Sequence, residues 1–291
     1  MMEDSGKHSA EASPHGPAPG RSEAGTKSMQ LILDKITPPL ELPRISRARL
    51  LNTLHGSLAS CTSTIINGRA GTGKTMLATD FAQHSGRRVA WYKVDAADGD
   101  LRVFFQYLIE SVRRERPRFG YEMLQRLLAE TSAPEDVPLL AESFVYELIE
   151  SGSDPLLIIV DDLHLVYDAE WVMPFFRRLL PLLPPEAHML ITGRGLPPAP
   201  LWRMRSKQTL CVIEELDMAF TENEAKKLFA SYGLNEGQAL SALAQTRGRA
   251  ASLDRAAALL SAPGNSIAKG TRGRRRRTRA ATVLQIHGYL I

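Results

Sequence analysis

The feature that most constrains this chain of 291 residues is the segment Gly-Arg-Ala-Gly-Thr-Gly-Lys-Thr at positions 68–75, which matches the pattern G-x-x-x-x-G-K-[ST]. An apolar run that ends at Ile66 precedes it, and Leu77 and Phe81 follow at helical spacing. A strand, a glycine-rich turn and a helix in this order place backbone N–H groups at the positive end of a helix, where they can surround a phosphate. The segment therefore predicts a P-loop; the alternative, a turn that carries Gly-Lys-Thr without binding phosphate, does not require this strand and helix.

Each residue type of the segment suits a nucleotide polyphosphate. The glycines allow backbone angles and a close approach that a Cβ would block. Lys74 places a cation on the β- and γ-phosphates, and the Thr75 hydroxyl ligates Mg²⁺. The predicted nucleotide-binding residues are Gly68, Arg69, Ala70, Gly71, Thr72, Gly73, Lys74, Thr75 and Met76.

The hydrophobic pattern predicts an α/β fold with a mainly parallel sheet and helices on both faces. Five short apolar runs have the pattern of buried strands: 62–67, 88–94, 156–161, 188–192 and 209–213. Amphipathic helices are predicted at 100–114 and 135–150 from apolar residues spaced three and four apart. After residue 213 the pattern is helical only, with helices at 221–232, 236–245 and 250–261, the first opened by a capping box at 221–224.

Two adjacent carboxylates, Asp161 and Asp162, follow the apolar run 156–160. Such a run is typical of a strand buried on both faces, and α/β folds bind ligands at the carboxyl ends of these strands. Asp161 is predicted to hold Mg²⁺, directly or through water, and Asp162 to accept a proton from the attacking water or to orient it. Capping of a helix is the alternative for such an Asp. His164 either positions a phosphate or makes a local hydrogen bond.

A third strand, 188–192, is followed by Gly193 and Arg194. An arginine at this edge can reach the γ-phosphate and distinguish ATP from ADP; an exposed arginine after a strand is the alternative. In the predicted reaction, water attacks the γ-phosphate while charged side chains stabilise the transferring group. The predicted catalytic residues are Asp162, Lys74 and Arg194, and the predicted metal ligands are Thr75 and Asp161.

Composition and charge divide the chain further. Residues 1–29 are poor in large apolar side chains and are predicted to be disordered. The predicted basic tail, 263–291, has seven Lys and Arg between 269 and 279, more than the net charge of +4. This tail is either solvated or contacts nucleic acid or an anionic membrane. Two cysteines form no disulfide framework and fit a reducing cytoplasm, and no run reaches the ~18 apolar residues of a membrane helix.

Three acidic residues, Asp95, Asp98 and Asp100, lie close together after the second predicted strand. The Gly and Glu that a Ca²⁺-binding loop needs at fixed offsets are missing. We therefore expect a solvated turn that ends in a helix N-cap.

Several segments together resemble the nucleotide-binding region of MalT-type, LuxR-associated ATP-binding regulators, within the STAND class of signal-transducing P-loop ATPases. They are the lead-in segment 43–51, the Trp-Tyr strand 89–98 with the aromatic residues after it, the Asp-Asp-Leu-His run 161–164, and the stretches 192–198 and 216–221. The family's serine before the arginine is Gly193 here, and the aromatic residue of a later Gly-Trp helix start is Arg249. The likeness spans about residues 43–262.

The resemblance implies an AAA+-related ATPase domain, 30–213, with a helical lid subdomain, 214–262. It also implies a slow ATPase that rests with ADP and self-associates with ATP, using ATP or ADP and Mg²⁺ as cofactors. Proteins of this class regulate transcription, so DNA or a regulatory protein is a candidate partner. No membrane contact is expected. The chain is expected to be a standalone module, a truncated regulator or one part of a split system.

Two other functions remain open from the sequence. A truncated regulator would act as a passive nucleotide-binding module without turnover. A nucleic-acid-associated AAA+ ATPase would use the arginine run 274–277 for phosphate contacts, which predicts salt-dependent DNA binding. A GTPase is not favoured, because the chain has no Asn-Lys-x-Asp motif.

Overall fold

The computed structural model describes residues 31–120, 122–131, 134–195, 197–207 and 209–262. The predicted disordered segment 1–29 and the basic tail 263–291 lie outside the described residues. One compact unit begins at Leu33 and contains the sheet and all of the helices described below. None of the helices in these ranges is long and apolar enough to cross a bilayer.

All five predicted strands are confirmed, with ends within one residue of the prediction. They are β1 (Ser63–Asn67), β2 (Arg88–Lys93), β3 (Leu156–Asp161), β4 (Ala187–Gly193) and β5 (Leu210–Ile213). The strands form a parallel sheet at the centre of the described residues, in the order β2-β3-β4-β1-β5. Every residue of β1, β3 and β4 is buried, as expected for parallel strands covered on both faces.

The helices connect these strands and then continue beyond the sheet. They are α1 (Ala48–Ser60), α2 (Lys74–His84), α3 (Leu101–Glu115), α4 (Met123–Glu130), α5 (Val137–Glu150), α6 (Val172–Leu182), α7 (Ala199–Trp202), α8 (Glu222–Ser231), α9 (Glu236–Thr246) and α10 (Ala250–Ser261). The predicted helices are confirmed as α2, α3, α5, α8, α9 and α10, whereas α1, α4, α6 and α7 are not predicted from the sequence. Short 3-10 turns lie at Leu33–Ile36, Ala96–Gly99, Pro134–Asp136, Leu163–Val166 and Arg203–Lys207.

Adjacent residues of β2 show that helices cover both faces of the sheet, because successive strand side chains point in opposite directions. Trp91 belongs to an apolar cluster with residues of α1 and α2. Tyr92 contacts the rings of Phe104 and Tyr107 on α3 instead. Burial of these large aromatic side chains on each face is the main favourable term that holds the helices against the sheet.

The helices after β5 pack around a separate apolar cluster, which includes Leu228, Phe229 and Leu253. Thr221 opens α8 with the predicted capping box: its hydroxyl accepts from the Glu224 N–H at 3.3 Å, and the Glu224 carboxylate accepts from the Thr221 N–H at 3.0 Å. These helices follow the last strand directly and supply residues that face the P-loop, as described below.

The predicted solvated turn after β2 is wrong for one of its three acidic residues. Asp98 is fully buried, and the ammonium of Lys35 lies 2.5 Å from its carboxylate and 2.8 Å from that of Asp95. A buried carboxylate needs such a partner. The predicted N-cap is confirmed, because the Asp100 side chain accepts hydrogen bonds from the N–H groups of Arg102 and Val103.

Candidate nucleotide-binding site

The glycine-rich turn joins the end of β1 to the start of α2. Gly71 and Gly73 have φ angles of 76° and 90°, in the left-handed region that favours glycine. Gly68 has no such angle, but a Cβ there would lie 3.0 Å from the Thr72 hydroxyl. Backbone conformation thus explains two of the glycines, and close packing within the loop explains the third.

Lys74, the first residue of α2, lies back across the loop. Its ammonium donates to the carbonyl oxygens of Gly68 at 2.7 Å and Arg69 at 3.1 Å. Burial lowers the pKa of Lys74, and the nearby carboxylate of Asp162 partly offsets this effect. The arrangement holds a cation at the mouth of the loop, where it can meet an anionic ligand.

Thr75 and Asp161 meet at the tip of β3, as the sequence predicts for a metal-binding pair. The Thr75 hydroxyl lies 3.1 Å from both carboxylate oxygens of Asp161. The hydroxyl of Thr192, on the neighbouring strand β4, donates to the same carboxylate at 2.5 Å. Full burial raises the pKa of Asp161, while the Thr192 and Thr75 hydrogen bonds act in the opposite direction.

Asp162 has a left-handed backbone, with φ of 61°, which is uncommon for a residue other than glycine. Its N–H donates to the Thr192 hydroxyl at 2.9 Å, so β4 fixes this turn. The carboxylate makes no capping hydrogen bond to the 3-10 turn that follows. The alternative of a helix cap therefore does not account for Asp162, and its side chain faces the cavity next to Lys74.

A cavity of about 540 Å³ lies over the loop, within the usual size range of small-molecule sites. Of the predicted site residues, it is lined by Ala70, Gly71, Gly73, Lys74, Thr75, Met76, Asp162 and Arg194. Arg194 is exposed to solvent at the cavity edge, and Asp161 is buried behind Thr75.

Three predicted nucleotide-binding residues, Gly68, Arg69 and Thr72, are not among the residues that line the cavity. The Arg69 guanidinium pairs with the carboxylate of Glu215 at 2.7 Å, and the Arg69 N–H donates to the same side chain at 2.9 Å. The Thr72 hydroxyl donates to the Arg69 carbonyl within the loop. These residues hold the shape of the turn from its outer side.

Sequence reasoning missed the residues that close the opposite side of the cavity. Arg47, at the start of α1, is buried and donates to the Met218 carbonyl at 2.7 Å, with its guanidinium 4.8 Å from the centre of the Phe220 ring. Burial lowers the pKa of Arg47. Asp80 of α2 also lines the cavity and accepts a hydrogen bond from the Ser46 hydroxyl at 2.7 Å. The resemblances of segments 43–51 and 216–221 are the only sequence signals for this wall.

The start of α10 contacts the P-loop directly. The Ala251 N–H donates to the Gly71 carbonyl at 3.0 Å, and the Arg249 guanidinium donates to the Ala70 carbonyl. A Cβ on Gly71 would lie 3.2 Å from the Ala251 Cβ. These contacts join the start of α10, which also lines the cavity, to the P-loop.

The donors present fit Mg²⁺ held together with phosphate oxygens. Mg²⁺ prefers oxygen ligands and in nucleotide sites takes one or two protein groups, with phosphates and water supplying the rest. The hydroxyl of Thr75 and the buried carboxylate of Asp161 provide two such groups. Within the described residues, no group of three or more His, Cys, Asp and Glu side chains forms a separate metal site.

A parallel sheet, a glycine-rich loop with a buried lysine and an acidic strand tip together define a P-loop nucleotide-binding domain. The chain belongs to the AAA ATPase domain family, whose model matches residues 45–192. It is also 28% identical over 200 residues to the HTH-type transcriptional regulator MalT of Serratia proteamaculans. That match covers 68% of this chain and 22% of the regulator, so the chain spans about a fifth of its length. The resemblance to MalT-type regulators expected from the motifs is confirmed.

Two solved structures are also similar. A Walker-type ATPase of Pyrococcus abyssi has a TM-score of 0.46 and 14% identity, with 77% of this chain and 71% of that chain covered. The replication initiator DnaA bound to AMPPCP and single-stranded DNA has a TM-score of 0.40 and 16% identity, with 74% and 60% covered.

Proposed function

We propose that this chain binds ATP with Mg²⁺ in the cavity over the P-loop and hydrolyses it slowly, as a STAND-type signalling switch. One observation carries the proposal: Thr75 hydrogen-bonds both oxygens of the buried Asp161, and Lys74 lies beside Asp162 at the same cavity. A turn without a ligand would not need a desolvated lysine and a buried carboxylate at adjacent strand ends.

Each predicted residue has a role in this proposal. The N–H groups of the loop surround the phosphates, and Lys74 exchanges its bonds to the Gly68 and Arg69 carbonyls for phosphate oxygens. Thr75 and Asp161 hold Mg²⁺, which neutralises charge on the phosphates when it is bound. Base and ribose extend toward Arg47, Phe220 and the start of α10.

Hydrolysis in this proposal depends on Asp162 and Arg194. The Asp162 carboxylate orients the attacking water, because its turn is fixed by the bond to Thr192. Arg194 approaches from β4 and stabilises negative charge on the γ-phosphate. The two side chains reach the cavity from the tips of adjacent strands.

The switch part of the proposal is supported by the contacts between α10 and the P-loop. A nucleotide that moves the loop changes the bonds of Gly71 to Ala251 and of Ala70 to Arg249, so the helical lid 214–262 senses the ligand. Similarity to an HTH-type transcriptional regulator supports a link to transcription, with DNA or a regulatory protein as partner. ATP-dependent self-association is a further part of the proposal. Cys61 and Cys211 are free thiols, which supports the proposed cytoplasmic location.

The first experiment measures nucleotide binding by isothermal titration of the full chain with ATP and Mg²⁺. Lys74→Ala should weaken binding about a hundredfold, because charge-assisted hydrogen bonds to phosphate are lost. Lys227→Ala, at an exposed position on α8, is the matched control and should bind as the wild type does. Equal binding by wild type and Lys74→Ala, or none in either, would refute the proposed function.

A passive nucleotide-binding module remains the second candidate, favoured by the absence of a side chain on Gly193 beside Arg194. Turnover separates the two functions. In a slow ATPase, Asp162→Asn should keep ADP affinity and lose about a hundredfold in hydrolysis rate. If the wild type shows no phosphate release beyond the level of Asp162→Asn, the passive module is the better description.

A further inference from the structure

Gly193, the last residue of β4, is a glycine for reasons of space. Its φ angle is not in the left-handed region, so its backbone does not require glycine. A Cβ at this position would lie 2.8 Å from the hydroxyl oxygen of Tyr167, closer than Cβ atoms approach other groups. The absent side chain therefore makes room for the Tyr167 hydroxyl.

That hydroxyl is buried, and no other group within the described ranges lies at hydrogen-bonding distance from it. A buried hydroxyl without a partner destabilises the folded state, so an acceptor is expected in some functional state. Burial raises the pKa of Tyr167 to about 12, so the phenol remains protonated at neutral pH and can donate.

The hydroxyl lies next to the end of β4, close in sequence to residues assigned to the terminal phosphate and the metal. Gly193 follows Thr192, which bonds the Asp161 carboxylate and the Asp162 N–H, and precedes Arg194 at the cavity. In the sheet, Gly193 is the register partner of Asn67, the residue directly before the P-loop. Residue 193 therefore lies between Thr192, which bonds the Asp161 carboxylate, and Arg194, which lines the cavity, while Gly193 and Tyr167 themselves lie behind its wall.

We propose that Tyr167 is a positioning residue for the terminal phosphate: its hydroxyl occupies the space of a residue-193 side chain and donates to a water ordered on that phosphate. A water bridge of this kind is nearly as favourable as a direct hydrogen bond. The inference rests on the proposed function. In this proposal, Tyr167 and Arg194 together give the site a higher affinity for ATP than for ADP.

The test compares affinities for ATPγS and ADP in the full chain with Mg²⁺. Tyr167→Phe should weaken ATPγS binding about threefold to tenfold, the effect of one hydrogen bond, and leave ADP affinity unchanged. Its midpoint of unfolding should stay the same or rise, because an unpartnered hydroxyl has been removed. Tyr146→Phe, at a half-exposed tyrosine on α5, is the matched control.

A second substitution, Gly193→Ser, tests whether a serine hydroxyl on β4 can replace the hydroxyl that Tyr167→Phe removes. Gly193→Ser alone should destabilise the protein, since its Cβ meets the Tyr167 hydroxyl. In the Tyr167→Phe background the serine fits, and the ratio of ATPγS to ADP affinity should return toward the wild-type value. A structural role for Tyr167 would not produce this rescue.

Failure of the inference is distinct from failure of the proposed function. If wild type binds nucleotide, Lys74→Ala does not, and Tyr167→Phe keeps the wild-type affinity ratio, the role of Tyr167 is refuted alone. An equal loss for both nucleotides or a lower midpoint of unfolding in Tyr167→Phe also overturns it. If wild type binds neither nucleotide, both proposals fail.

Discussion

At the scale of single residues, burial shifts the pKa of a histidine at the end of the sheet away from the P-loop. His188, on β4 at the end of the sheet opposite the P-loop, is 2% exposed. Its Nδ1 lies 3.2 Å from the Cys61 carbonyl and its Nε2 lies 2.9 Å from the Thr64 hydroxyl. Because a carbonyl only accepts, Nδ1 carries the proton of the neutral ring and Nε2 accepts from Thr64. Burial, with a smaller contribution from Arg87, lowers the pKa of His188 to about 4.

This shift predicts a loss of stability in acid. The unfolded chain binds a proton near the ordinary His pKa of about 6.5, whereas folded His188 resists it, so stability is full above that pH and falls toward pH 4. At pH 5 the contribution of His188 to the free energy of unfolding should be lower by about 2 kcal/mol. Urea unfolding at pH 7.5 and pH 5 measures the loss.

His188→Gln should remove most of this acid sensitivity, because Gln has no titrating group. His55→Gln, at an exposed position on α1, is the control. Between pH 7.5 and pH 5 its free energy of unfolding should fall by as much as that of the wild type. Equal acid sensitivity in His188→Gln and in the wild type would contradict the assignment to His188.

Sequence patterns identified the site residues that depend on local order and missed those that depend on distant contacts. The P-loop and the Asp161–Asp162 pair could be predicted because the carboxyl ends of parallel strands meet at one edge. Asp98 was assigned to a solvated turn because its partner, Lys35, is 63 positions away. Arg47 was missed as a cavity residue for the same reason, since its acceptor, the Met218 carbonyl, is 171 positions away.

At the scale of elements, the strands were easier to predict than the helices. A fully buried strand is a short apolar run, which a sequence shows directly. The helix α1 follows a lead-in with several prolines, and no predicted strand precedes it to mark a crossover. The hydrogen bond from the Ala251 N–H of α10 to the Gly71 carbonyl has no sequence pattern of its own, because it joins two backbone groups.

That contact leads to a prediction for the helix. Ala251 lies in the first turn of α10, where proline is tolerated, so Ala251→Pro should keep the helix and remove the N–H that bonds Gly71. ADP affinity should fall about threefold to tenfold, because the loop loses one of its supports. Isothermal titration measures the change.

Gly237→Pro is the matched control, since it occupies the same position in the first turn of α9, whose N–H groups do not contact the loop. It should bind ADP with wild-type affinity. Circular dichroism of both variants checks that helix content is unchanged. Wild-type ADP affinity in Ala251→Pro would show that α10 does not support the loop.

At the scale of the whole molecule, positive charge is concentrated in the sequence of the predicted basic tail. The seven basic residues of 269–279 exceed the net charge of +4, so the rest of the chain is negative. Net negative charge disfavours binding to nucleic acid, whereas a run of basic residues favours it. Any contact with DNA phosphates should therefore depend on this segment and not on the nucleotide site.

This division predicts how DNA binding responds to salt. If the basic segment binds nucleic acid, the logarithm of the affinity for duplex DNA should fall with the logarithm of salt concentration, with a slope as steep as about −6 for seven phosphate contacts. Fluorescence anisotropy with a labelled duplex at several salt concentrations measures this slope.

Deletion of 269–279 should weaken DNA binding and flatten the slope, while deletion of 9–19, a segment of equal length, should do neither. Nucleotide affinity should be unchanged in both deletions, because the cavity is built from residues of the described domain. Identical salt curves for the full chain and the 269–279 deletion would refute DNA binding through this segment.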